Sequence, residues 1–331
     1  MKKTFAAILA AGMMLLATGA MAQGHGSDWT EIKQSSFTDG EMMLAGGKYC
    51  LAEDVQGTIQ NAEEKMITLC LCGHTISAED AAVIHIAAGD GVDWSGSLTL
   101  EDCSAAQSGK VEVIDGPKPD PCVGVMNDYG TFIMNGGSVI AQGEDSYGVE
   151  NGSGTFIMNG GVVEGYFAVG NETAEESGQP AVFTMNGGTV KGTLLGVFNA
   201  TDSDAYERGV VSTFNMNSGT VSGGVYGGVC NVLGKLTVSA GEISGAKLAV
   251  MELEGEPLTE EEAEKAYLAK DSRKVEGEFT SELVIVEKIP AADSQTQTDD
   301  LPKTGDPSSL LGWAALLGAS VMGMKMRRRS K

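Results

Sequence analysis

The chain is short of aromatic rings and of positive charge. Aromatic residues are 6% of its 331 residues, set against 46 glycines. That balance does not suit an ordinary helical or doubly wound enzyme; it suits many short strands joined by tight turns, in a chain long enough for a sizeable core. Lys and Arg number 22 against 45 Asp and Glu, giving a net charge of −23. A surface this acidic repels nucleic acid and anionic lipid, so no nucleic-acid partner is expected. Histidine is scarcer still, with three residues. His74 and His85 lie in strand-like runs with no paired carboxylate or nucleophile pattern, and they read as strand or corner residues.

The few basic residues gather at the two ends. Lys2 and Lys3 precede an apolar run at 5–16 that is too short for a comfortable permanent span, and Ala20-Met21-Ala22 offers a small-x-small cleavage site. Residues 1–22 therefore read as a secretory signal, with cleavage between Ala22 and Gln23. At the other end, Leu301, Pro302, Lys303, Thr304 and Gly305 are followed by an apolar stretch at 310–324 and a basic tail at 325–331. These three parts, in this order, resemble the LPxTG sorting signal of Gram-positive wall proteins. The resemblance implies transient membrane insertion through a transmembrane helix with positive charge inside. A sortase would then attack the Thr304 carbonyl, release Gly305 onward and join Thr304 to the peptidoglycan cross-bridge. The expected mature chain, 23–304, keeps 15 basic and 44 acidic residues, a net charge of −29. Residues 290–300 (PAADSQTQTDD) are polar and unpatterned and read as a flexible spacer.

Between the ends lies a repeat. FIMNGGSV at 132–139 returns as FIMNGGVV at 156–163, FTMNGGTV at 183–190 and FNMNSGTV at 214–221, with a decayed LTVSAGEI at 236–243. A second element, GVMN at 124–127, recurs at 148–151, 168–171, 196–199 and 228–231. Alternation within each piece is period two: Phe and Met are fixed, and the residue between them varies through Ile133, Ile157, Thr184 and Asn215. The fixed positions are expected inside, with the Gly-Gly pair supplying the positive φ of a corner. Three short strands per repeat describe one turn of a parallel β-helix, right-handed by the chirality of crossovers, and fit it better than a β-sandwich. At about 4.8 Å per coil, roughly eight coils make a rod about 40 Å long. Asn135, Asn159, Asn186 and Asn217 should then stack, as should Asn127, Asn151, Asn171, Asn199 and Asn231.

A looser form of the pattern occupies 46–103. Its TLCLCGHTI segment at 68–76, taken with the FxMNGGxVxG copies, resembles Gram-positive wall-anchored surface proteins with pectin-lyase-like β-helices, over roughly residues 45–250. The resemblance implies an all-β solenoid, surface display and adhesin-like behaviour. Residues 251–288 leave the pattern: a capping box at Thr259 and Glu262 opens a helix to about Lys270, and an apolar strand follows at 283–286, together a small α+β cap for the open coil end. The organisation expected is a signal peptide at 1–22, a lead-in at 23–44, the β-helix at 45–250, the cap at 251–289, the spacer at 290–300 and the sorting signal at 301–331.

Chemistry has few places to sit. Cys70 and Cys72 form a CxC with no second metal-spaced pair, so no metal site is expected there. Cys72 and Cys103 occupy matching repeat positions, where a disulfide and free thiols are both open. Inserts of variable length follow each GVxN, at 128–130, 152–154, 172–181, 200–212 and 232–234. They emerge along one edge and carry Glu172, Glu175, Glu176, Asp202, Asp204 and Glu207 with Tyr129 and Tyr206. Such an edge suits a ligand, with Ca²⁺ on the carboxylates and sugar rings on the tyrosines. The function expected is non-catalytic binding of host, glycan or partner-cell material; the alternative is a polysaccharide lyase or hydrolase, for which Glu164 beside Lys191 is the one suggestive pair.

Overall fold

The computed structural model describes residues 25–61, 65–79, 82–86, 96–114, 122–253 and 258–290. The expected signal peptide with Ala20, Ala22 and Gln23, the spacer beyond Pro290, and the sorting signal at 301–305 with its membrane segment lie outside them. Among the described residues no helix is long and apolar enough to cross a membrane.

The chain winds as a parallel β-helix with three faces. The first face is a nine-stranded sheet whose strands follow one another in chain order. It starts at Trp29–Ile32 and Gly47–Leu51, runs through Thr131–Met134, Thr155–Met158, Val182–Met185 and Thr213–Met216, and ends at Lys235–Val238. Nine rungs at about 4.8 Å give the expected rod of about 40 Å. The described part of the expected lead-in supplies the first coil, since Trp29–Ile32 pairs in parallel with residues 48–51.

Side-chain alternation decides which residues fill the coil. Each Phe-x-Met strand buries its first and third side chains and turns the middle one outward. Phe132, Phe156, Phe183 and Phe214 are paired in register, and their rings stack with centroids 5.0, 4.7 and 4.7 Å apart. The second face repeats this with Val139, Val163, Val190, Val221 and Ile243, all fully buried. At the corner after each of the four Phe-x-Met-Asn copies, only the second residue, always glycine, has positive φ, from 77° at Gly137 to 110° at Gly219. A Cβ at Gly161, Gly188 or Gly219 would also lie 2.5–2.6 Å from the methyl of the methionine one coil earlier. Backbone conformation and the methionine row therefore demand glycine together.

Both asparagine columns form. On the outer corner, Asn159, Asn186 and Asn217 each donate to the preceding asparagine at 2.8 Å. Inside, Asn127, Asn151, Asn171 and Asn199 each donate to the next at 2.7 Å, ending at Asn231, which donates to Glu252. Every donor of the inner column also reaches a backbone carbonyl, so each buried NH₂ group spends its protons on two acceptors.

The last coil is covered. The helix Glu260–Tyr267 begins with the expected capping box, Thr259 and Glu262 bonding reciprocally. It stops three residues before Lys270, because Leu268 turns extended and bridges Val238 of the last coil. The strand Leu283–Lys288 adds antiparallel to residues 241–244, and Ser272–Gly277 adds to its other side. Ser272–Gly277 has no apolar alternation, which is why the sequence shows no strand there.

Candidate functional site

The insert edge forms as the corner between the third and first faces, but its acidic residues separate into different environments. Glu176, Asp204, Tyr206 and Glu207 are exposed, whereas Tyr129, Glu175 and Asp202 are half-buried. Asp202 caps the short helix Ser203–Glu207 by accepting from the Asp204 N–H. Asp204 shares a hydrogen bond with Glu175, and the proton this requires holds the Asp204 carboxyl above its ordinary value. Gln179 ties the inserts together by donating to the Tyr129 and Ser153 carbonyls, and Arg208 does so through the carbonyls of Glu175 and Ser177. Tyr129, Ser153 and Leu233 share the middle position of the short three-residue corners and all take positive φ, 66°, 55° and 52°.

Glu172 leaves this edge for a second apolar cluster on the outside of the third face. That cluster contains Val123, Tyr147, Phe167, Leu195, Phe198 and Cys230. Tyr147 and Phe167 stack at 5.0 Å. The Glu172 carboxylate crowds the open space over Gly170 beside the Tyr147 ring. The residue as a whole keeps some solvent contact, but burial pushes its carboxyl up to about 7. Desolvation, followed by the charge of Glu172, raises the Tyr147 hydroxyl as well.

Two histidines thought to lack carboxylate partners have them, supplied by other coils. His74 Nδ1 lies 3.4 Å from Asp54, and His85 Nε2 lies 3.3 Å from Asp128. Sequence spacing conceals both pairs because the partners are 20 and 43 residues distant. Glu164 and Lys191 are register partners 3.5 Å apart with both side chains solvated, the geometry of a surface ion pair.

The most convergent set of chemical groups lies at the N-terminal end of the rod. Cys50 and Cys70 are register partners on the first face, and the chain turns sharply after Cys70, with φ of 53° at Cys72 and 81° at Gly73. That turn brings Cys72 Sγ to 3.5 Å from Cys70 Sγ and 3.7 Å from Cys103 Sγ. The Cys103 N–H donates to Cys70 Sγ at 3.3 Å. His25 joins from the lead-in, its ring 3.8 Å from that of Trp29. Its Nε2 is buried and has no hydrogen-bond partner. The four ligand atoms of His25, Cys70, Cys72 and Cys103 all lie within 4.8 Å of one another, and among the described residues no other group of three or more His, Cys, Asp or Glu converges in this way. This cluster is of a kind that can hold a metal ion.

Cys72 and Cys103 are adjacent, as their repeat positions imply, and no disulfide joins them in this structure. Burial pushes the Cys70 thiol up to about 11 and the Cys72 thiol higher still. Asp102, itself buried, braces the corner: it accepts from the Gly73 N–H at 2.8 Å, the Gly109 N–H at 2.7 Å and both the N–H and hydroxyl of Ser104. The sequence reading missed His25 and Asp102. The readable signal was the coil register that aligns Cys103 with Cys72; nothing local announces that the lead-in folds back.

No protein-family model, curated protein or solved structure matches this chain.

Proposed function

We propose that the chain is a secreted, sortase-anchored cell-wall protein whose rod serves as a non-catalytic, adhesin-like binding surface for host, glycan or partner-cell material. The observation that carries this reading is the three-part C-terminus: the LPKTG sequence at 301–305, an apolar stretch at 310–324 and a basic tail, preceded by a polar spacer. A sortase would use the first part, the membrane would hold the second, and the peptidoglycan cross-bridge would receive Thr304. Mass spectrometry of wall digests tests it. The expected product is a C-terminal peptide ending at Thr304 and joined to cross-bridge residues; an intact 310–324 segment in the mature protein refutes anchoring.

The exposed insert edge supports the binding half of the proposal. Tyr206 offers a ring and Glu176, Asp204 and Glu207 offer acceptors on a rigid coil. A glycan and matrix-protein array, repeated with Tyr206→Ala, should show a ligand lost by the variant. A calcium titration followed by thermal unfolding tests the edge for Ca²⁺, and an unchanged midpoint removes that ligand.

One observation favours the enzymatic alternative. Glu172 keeps its proton close to neutral pH beside Tyr147, a property shared by the general acids of glycosidases. A polysaccharide-degradation screen decides between the readings. No turnover is expected, and turnover abolished by Glu172→Gln would replace the binding reading with a lyase or hydrolase.

A further inference from the structure

We propose that His25, Cys70, Cys72 and Cys103 hold one tetrahedral zinc ion that clamps the lead-in onto the first coils. Three thiolates and one imidazole are the donor set of a closed structural zinc site, and their softness disfavours calcium or magnesium. Thiolates at about 2.3 Å from a tetrahedral centre lie about 3.8 Å from one another. The observed Sγ separations of 3.5 and 3.7 Å are close to that spacing. A disulfide instead requires about 2.05 Å, and one bond would leave the third thiol and the imidazole without a role.

Other features support the same assignment. A buried ring nitrogen without a partner is costly, and the cluster is where the His25 Nε2 would find a bond. Stacking on Trp29 orients the imidazole. The Cys103 N–H to Cys70 sulfur contact is the kind of outer hydrogen bond that stabilises a metal thiolate. Asp102 is a positioning residue: through Gly73 and Ser104 it fixes the backbone beside Cys72 and Cys103 without being a ligand. On binding, each of the three thiols loses its proton to solvent and gains a bond to zinc, so the filled site carries a single net negative charge. Cys50 stands next to the set as a register partner of Cys70, which makes it the natural control. The assignment is independent of what the rod binds.

The test uses the exported chain, reduced, stripped of metal and reloaded with Zn²⁺ alone. Wild type should bind one equivalent, and Co²⁺ in its place should give thiolate charge-transfer bands with the intense visible bands of a tetrahedral site. His25→Ala, Cys70→Ser, Cys72→Ser and Cys103→Ser should each weaken binding by more than the roughly 100-fold that loss of an outer-shell partner can cost. Cys50→Ser, which touches Cys72 without being a ligand, should weaken it by no more than about 10-fold, and Asp102→Asn should weaken it about 10- to 100-fold while the Co²⁺ spectrum stays tetrahedral. Circular dichroism reports whether each variant is folded; if a cysteine variant is not, the wild-type Co²⁺ spectrum still decides. Failure of folded, reduced wild type to take stoichiometric zinc overturns the proposal. So does a Cys72–Cys103 disulfide in peptide maps of the chain as isolated from cells, or binding that survives His25→Ala but not Cys50→Ser.

Discussion

The coils from 122 to 253 and those from 25 to 114 share one winding but are held differently. In the later coils identical side chains sit on identical ones: four stacked phenylalanines, a methionine row and an unbroken inner asparagine column. In the earlier coils the same first face is filled by Ile32, Leu51, Leu69, Leu98 and Leu100, without stacking or an amide column. The inner column in fact breaks at one position. Ile86 is the register partner of Asn127, and Gln60 facing His85 puts Asn61 in line with Ile86. The Oδ1 atoms of Asn61 and Asn127 are both buried without a hydrogen-bond partner. Because each amide of the column donates to the next coil, Ile86 leaves the Asn127 Oδ1 without a donor, and Leu44, the register partner of Asn61 one coil earlier, does the same for the Asn61 Oδ1. Where repetition supplies the lock, the sequence needs no other device; where repetition fails, a bundle of cysteine, histidine and aspartate occupies the outer side of the coil.

The largest effect should come from opening the phenylalanine stack. Phe183→Ala, at the centre of the ordered rings, should cost about 3–5 kcal/mol in denaturant unfolding, and Leu98→Ala in the earlier coils about 2–4 kcal/mol. Equal costs would mean that stacking adds nothing beyond volume. The column break offers a sharper contrast. Ile84→Asn puts an amide among apolar side chains and should cost more than about 4 kcal/mol. Ile86→Asn loses similar apolar contact but can donate to the Asn127 Oδ1, so it should cost less than about 2 kcal/mol. If the two variants unfold alike, the column is not what organises that wall.

A smaller effect concerns Glu172. Its folded value, about 7, lies above that of an unfolded glutamate, so the native state holds a proton that the unfolded chain releases. Stability should therefore fall as pH rises from about 4.5 to about 7, by about 1–3 kcal/mol, and Glu172→Gln should flatten that slope. A variant with an unchanged slope would place the titration elsewhere. The smallest effect is at Leu233, whose φ of 52° glycine adopts freely. Leu233→Gly should change stability by under about 1 kcal/mol, with relief of left-handed strain opposing lost packing, and the same change at an extended strand position should be clearly worse.

Much of the fold could be read from the chain because a β-helix writes its geometry into spacing. Fixed Phe and Met at alternate positions gave the inward row, recurrent asparagines gave both columns, and the Thr259 and Glu262 pair gave the cap helix. Contacts made only by winding were not legible. His25 reaches Cys70, Cys72 and Cys103 across 45 to 78 residues, and His85 meets Asp128 across 43. The insert edge was legible as a place but not as an environment: Glu172 and Glu176 look alike in sequence, yet one crowds Tyr147 and the other faces solvent. Glu172 is packed because it leans over Gly170, two residues earlier on its own strand, toward Tyr147 of the preceding coil, and that neighbour is supplied only by winding.

Hydrogen exchange on the chain, with and without a zinc chelator, tests most directly whether one coil is locked in two ways. Chelation should remove protection from Trp29–Ile32, Gly47–Leu51 and Met66–Cys70 and leave Thr155–Met158, Val182–Met185 and Thr213–Met216 unchanged. Uniform loss along the rod, or no loss at all, would contradict the division between a metal-clamped end and a ladder-held body.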